Sequence, residues 1–203
     1  MGGTSFAPDL EAWDAWPPST LGARLASLRV PWAVAGGWAI DLHLGMETRP
    51  HADIEIAVPR DHIDDVVDCL DELEWFAIGD GLAWPLADAP QQLHQTWGRD
   101  RGERWRLDVL REPWDGQDWV FRRDRRIRRP LAAAIESSSG GIPYLAPETV
   151  LLFKAQSQTE KDEADFERTI PTLTQERMEW LRRALQTVEP TNTWITRLGG
   201  ASR

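Results

Sequence analysis

The chain of 203 residues has a single cysteine, Cys69. That excludes an internal disulfide and a cysteine-based metal site, and it suits a reducing cytoplasm. Lysine is nearly missing as well. Lys154 and Lys161 are the only two, and every other cation among the 23 Lys and Arg residues is an arginine. No apolar run is long enough to span a bilayer, and no basic stretch followed by an apolar one opens the chain, so neither membrane insertion nor export is expected. Positive charge is in short supply overall. A formal net charge of -10 disfavours DNA or RNA, whose affinity comes largely from basic side chains. Such acidity serves solubility in many proteins, and it also suits a cationic substrate drawn to an acidic cleft.

What is present is a sizeable core. Hydrophobic residues make up 41% of the chain, which excludes global disorder. Residues 1–18 read as an extension that docks through Trp13 and Trp16. From Ser19, Leu21, Leu25 and Leu28 recur at helical spacing after a Ser-Thr cap, and Pro31 ends that pattern. A short apolar strand over 32–35 leads into Gly36-Gly37 and a second helix to Leu44, closed by Gly45. Residues 52–58 alternate as a strand, and Asp61 is placed to cap the helix after it, whose apolar stripe is Ile63, Val66, Val67 and Leu70. Short strands punctuated by Gly, Pro and Asp fill 75–121, the best of them Trp105 to Leu110. Beyond Pro147 the pattern is helical, with Met178, Leu181, Leu185 and Val188 on one face.

The chemistry centres on carboxylates. Asp53 and Glu55 lie two apart on a strand, so both project from the face opposite Ile54, Ile56 and Val58. Adjacent anions are poor strand formers unless a cation lies between them, and hard oxygen ligands suit Mg²⁺. Taken alone, Asp-x-Glu is more often a solvated strand face. The context adds a third carboxylate, Asp108, on the strand face opposite Leu107 and Val109. It also adds Gly36-Gly37 between an apolar strand and a helix N-terminus, where backbone N–H groups can approach a phosphate. Together these features fit a two-metal phosphoryl-transfer site.

The run AGGWAIDLHLGMETRPHADIEIAV, from Ala35 to Val58, resembles the signature of the polymerase-beta-type nucleotidyltransferases that include aminoglycoside 2″-adenylyltransferase and the lincosamide nucleotidyltransferases. It supplies Gly36, Gly37, Trp38, Asp41, Thr48, Arg49, His51, Asp53 and Glu55 in the order of that signature. A second stretch, Tyr144 to Phe166, resembles the later helices of the family. The resemblance implies an α+β nucleotidyltransferase fold, a mixed sheet flanked by helices over residues 1–146 with a helical region over 147–203. It implies that an NMP, in the first place AMP from ATP, passes to a hydroxyl of a small molecule such as an aminoglycoside or lincosamide, with release of pyrophosphate. Asp53, Glu55 and Asp108 would be the metal and catalytic residues for a pair of Mg²⁺ ions, Asp108 also receiving the acceptor proton. Gly36 and Gly37 would cradle the β- and γ-phosphates. Glu55 is a departure, since many relatives have Asp there. A homodimer is also compatible with the resemblance.

Several residues carry two readings. Arg49 either contacts phosphate or braces the loop before the metal strand, and His51 reads as a brace. Lys154 and Lys161 are candidates for the triphosphate, although Lys161 is also spaced to pair with Asp165. The run of arginines from Arg122 to Arg129 reads as a solvated hairpin in preference to a nucleic-acid surface. Two other functions stay open. One is a toxin-type nucleotidyltransferase acting on tRNA or protein, and the other is a nucleotide-binding module without catalysis.

Overall fold

The computed structural model describes residues 4–200. An eight-stranded mixed sheet carries the molecule. Its strands are β1 (Ala33–Val34), β2 (Glu55–Pro59), β3 (Glu74–Gly79), β4 (Leu82–Pro85), β5 (Gln95–Arg99), β6 (Trp105–Glu112), β9 (Ile135–Ser137) and β10 (Pro143–Leu145), in the order β4-β3-β5-β6-β2-β1-β10-β9. Two pairs are parallel, β2 with β6 and β1 with β10, and the remaining neighbours are antiparallel. A separate hairpin is formed by β7 (Asp118–Val120) and β8 (Arg128–Pro130). The helices are α1 (Pro18–Arg24), α2 (Gly36–Leu44), α3 (Ile63–Cys69), α4 (Leu131–Ala134), α5 (Pro147–Lys154), α6 (Glu160–Thr169), α7 (Gln175–Val188) and α8 (Trp194–Gly200).

The sequence patterns account for most of these elements. Ile54, Ile56 and Val58 are fully buried on one face of β2, and Leu107 and Val109 continue the same layer on β6. Gly45 takes the left-handed conformation, φ 71°, that ends α2. Met178, Leu181 and Leu185 are buried along α7, with Val188 at the edge of the same core. Three local expectations change. The helix α1 stops at Arg24, short of Leu28, and Pro17 rather than a Ser-Thr pair precedes it. β2 begins at Glu55, so Asp53 lies just ahead of the strand. Asp61 falls inside a 3-10 turn over Arg60–His62, and His62 holds the cap position of α3. In each case the chain before the element is already committed to another contact, which overrides the local capping preference.

The first segment docks through aromatic rings. Trp13 meets Trp97 edge-on at 5.0 Å, and Trp105 is buried beneath them, its indole N–H donating to the carbonyl of Asp9 at 2.9 Å. Phe6 exchanges both backbone hydrogen bonds with Ala83 on β4, the outermost strand on that side. At the other end of the chain, α5 packs on α2 and α7, and its buried residues join the same hydrophobic core as the sheet. Among the described residues, no helix is long and apolar enough to cross a membrane.

Candidate active site

The parallel pairing of β2 and β6 sets Glu55 directly beside Asp108. Two backbone bonds hold this corner: Asp108 N–H donates to Ile54 O at 2.9 Å, and Ala35 N–H donates to Glu55 O at 2.8 Å. The second bond brings the end of β1, and with it the start of α2, against Glu55. Gly36 opens α2 with φ +60°, and a Cβ there would overlap the Glu55 carboxylate. Its glycine identity therefore serves two needs, a left-handed backbone and room for Glu55. The N–H groups of this first helical turn have no carbonyl of their own helix to bond.

Asp108 is buried. One oxygen accepts from the Gln95 amide at 2.6 Å, and the other, Oδ1, has no protein partner. Burial and the neighbouring Glu55 push the Asp108 carboxyl well above the usual carboxylate range. Burial and Asp53 likewise push Glu55 up to about 7. Two carboxylates pressed together in this way, with an orphaned oxygen between them, have the donor chemistry of a hard divalent cation site. Asp53 is exposed at the entrance, and among the described residues no three His, Cys, Asp or Glu side chains are already gathered as a metal cluster.

The rest of the motif builds a brace. Asp41, buried on α2, accepts from Thr48 Oγ1 at 2.6 Å and bonds His51 Nε2 at 2.6 Å. Arg49 donates to His51 Nδ1 at 3.1 Å and reaches Asp165 on α6 at 3.4 Å. Because Nδ1 accepts from a guanidinium, the His51 proton belongs on Nε2, facing Asp41. The Trp38 ring lies 4.5 Å from His51. Gly37 is a glycine because Arg49 and His51 occupy the space where its side chain would be. The chain thus ties the loop ahead of β2 to α2 on one side and to α6 on the other.

A cavity of about 280 Å³ opens on the carboxylate face of the sheet. Gly36, Glu55, Lys154 and Ser157 border one part of it, and His94, Gln95, Glu112, Arg122 and Arg123 border another. Lys154 pairs with Asp162 at 3.0 Å and Asp165 at 2.9 Å, and these contacts raise its pKa against the opposing effect of burial. Lys161 is exposed on α6 and does not border this cavity, and the pairing it was spaced to make with Asp165 is made by Lys154 and Arg49 instead.

Residues 19–79 match the aminoglycoside-2″-adenylyltransferase family. The chain superimposes on the solution structure of the antibiotic-resistance factor ANT(2'')-Ia with a TM-score of 0.57 and 16% identity, over 85% of this chain and 90% of that one. It also superimposes on the lincosamide antibiotic adenylyltransferase LnuA, lincomycin-bound, with a TM-score of 0.52 and 16% identity, over 73% of this chain and 91% of that one. By fold the chain is a nucleotidyltransferase. No curated protein sequence matches it.

Within this nucleotidyltransferase fold the structure gathers Gly36, Glu55, Asp108 and Lys154 at one corner, with Asp53 beside them. It gives Arg49 and His51 the bracing geometry. The sequence reading missed His94, Glu112, Arg122 and Arg123 as cavity residues. The arginine run was visible, but only tertiary structure brings its first two members inward. Arg123 donates to Phe153 O at 2.9 Å, and Arg122 donates to the buried Glu112 at 3.2 Å.

Proposed function

We propose that this chain transfers a nucleoside monophosphate, AMP in the first instance, from an NTP to a hydroxyl of a small acceptor and releases pyrophosphate. The observation that carries the reading is the pairing of Glu55 with Asp108 beneath the N-terminus of α2. Asp53, Glu55 and Asp108 would hold Mg²⁺, which supplies charge neutralisation at the phosphates and acidifies the attacking hydroxyl. Gly36 and Gly37 offer backbone N–H groups to the phosphate chain. Asp108 is the residue placed to take the acceptor proton. Lys154 fixes α5 to α6 and presents its ammonium to the cavity. The chain's own part is to position the reactants and to shield them from water, which suits a reaction governed by geometry and charge. The named relatives of this fold make an aminoglycoside or a lincosamide the first acceptors to try.

The test is pyrophosphate release from ATP and GTP with Mg²⁺ across aminoglycosides, lincosamides and tRNA. Release that depends on one small acceptor and disappears in a folded Asp53→Asn variant supports the reading. Undiminished release in that variant refutes the metal assignment. Release stimulated by tRNA alone favours the toxin-type alternative, and tight Mg²⁺–NTP binding without turnover on any acceptor favours a binding module.

A further inference from the structure

In this acidic protein most arginines are ion-paired. Arg49, Arg99, Arg106, Arg128, Arg129 and Arg197 each lie within 4 Å of a carboxylate. Around His94 the pattern breaks. Among the described residues, Arg60, Arg111 and Arg123 have no ion-paired carboxylate, and Arg122 has only Glu112, one of whose oxygens is left without a partner. Arg122 borders the central cavity and also an adjoining groove of about 590 Å³ that contains Arg60 and Arg125. Burial and the field of Arg122, Arg60, Arg111 and Arg123 push His94 down to about 4, so the imidazole stays neutral and adds no further charge there. Like charges left unneutralised at a cavity wall are costly unless an anion completes them.

The position of the cluster decides which anion. In an in-line displacement the attacking hydroxyl and the departing pyrophosphate lie on opposite sides of the α-phosphorus. The N-terminus of α2 lies on the β1 side of Glu55, whereas Asp108 and the arginines lie on the β6 and β5 side. Glu112, which holds Arg122, is four residues beyond Asp108 on the same strand face, roughly 13 Å along it. The cluster therefore sits in the acceptor half of the site.

We propose that these arginines bind an anionic group, a phosphate or its equivalent, carried by the small acceptor. The inference rests on the nucleotidyl-transfer reading and narrows its substrate class, turning it away from a purely polycationic drug. A small acceptor is favoured over RNA by the size of the cavity and the net charge of -10.

The full chain is saturated with Mg²⁺ and α,β-methylene-ATP, and inorganic phosphate is titrated calorimetrically. Phosphate should bind alongside the nucleotide. Arg123→Gln, and separately Arg60→Gln, should weaken phosphate about tenfold or more and leave the nucleotide Kd within about twofold. Competition between phosphate and the nucleotide analogue, or equal weakening of both by Arg123→Gln, would assign the arginines to the triphosphate and overturn the proposal. So would the absence of saturable phosphate binding in the wild type. A short single-stranded RNA that displaces phosphate, and itself loses affinity in Arg123→Gln, would overturn the small acceptor. If the nucleotide analogue does not bind at all, the transfer reading fails, while the same titration on nucleotide-free protein still tests the arginine site.

Discussion

Gly36 and Glu55 share one space: the carboxylate of Glu55 lies where the side chain of residue 36 would be. The backbone at Gly36 is also in the left-handed region, φ +60°. A side chain at 36 is therefore opposed by the backbone and by the carboxylate that the proposed metal needs.

Gly36→Ala should displace the Glu55 carboxylate by a fraction of an ångström to an ångström. A misplacement of that size is expected to lower kcat by roughly a hundredfold. The left-handed backbone adds a stability cost of about 1–2 kcal/mol. Steady-state pyrophosphate release and urea denaturation measure the two effects separately. Normal kcat in a correctly folded variant would show that Glu55 is not held by Gly36 for catalysis.

Asp108→Asn should separate stability from activity. It removes one member of a buried like-charged pair, so the metal-free variant should be as stable as the wild type or more so. Pyrophosphate release should fall by roughly 10²–10³-fold. Magnesium at a hundred times its Kd should stabilise the wild type by about 2.7 kcal/mol and the variant much less. Thermal denaturation with and without Mg²⁺ reads this difference. Equal Mg²⁺ stabilisation of both proteins would place the cation elsewhere.

Asp41 anchors the brace, and its replacement should cost stability. Asp41→Ala strips the shared acceptor from Thr48 and His51 in a buried setting. The expected loss is about 3 kcal/mol, visible as a lower midpoint in urea. Asp41→Asn retains one acceptor oxygen and should lose less. Equal midpoints for Asp41→Ala and the wild type would mean that the network contributes nothing.

His94 should make stability fall with acid. Its folded pKa is about 4, below the ordinary 6.5, because burial and nearby arginines favour the neutral ring. The unfolded chain therefore binds the extra proton first. Stability from this group is fully present above about pH 6.5 and is lost as the pH falls toward 4. At a half-buried site the loss is about 1–2 kcal/mol after allowance for solvent screening. His94→Gln should flatten this part of the pH–stability curve relative to the wild type. Parallel curves for the two proteins would refute the assignment.

Much of the site was legible because its information is local. Gly36, Asp53 and Glu55 are close in sequence, strand alternation puts the two carboxylates on one face, and Gly45 announces the end of α2. Asp108 was legible through the alternation of Leu107 and Val109. The roles of Arg49 and His51 could not be settled from spacing, since bracing and phosphate contact require the same residue types. The burial of Asp41 and the reach to Asp165, 116 residues away from Arg49, decide the geometry. Lys154 and Lys161 looked equivalent because both are rare and both lie on helices. Helical phase turns one into the cavity and the other to solvent. The arginine run misled for a related reason: composition gives its charge, but the contacts with Glu112 and Phe153 that turn Arg122 and Arg123 inward come from distant parts of the chain.

The docking of Phe6 on Ala83 bears on how the protein can be handled. β4 ends the sheet on that side, and an uncovered outer strand offers its free N–H and C=O groups to any other chain. The Phe6 backbone occupies that position, and the aromatic contacts of Trp13 hold the arm down. Clipping the chain ahead of Trp16 would leave the carboxylate corner untouched and uncover a sticky border, so a shortened form should retain nucleotide binding yet self-associate as its concentration rises.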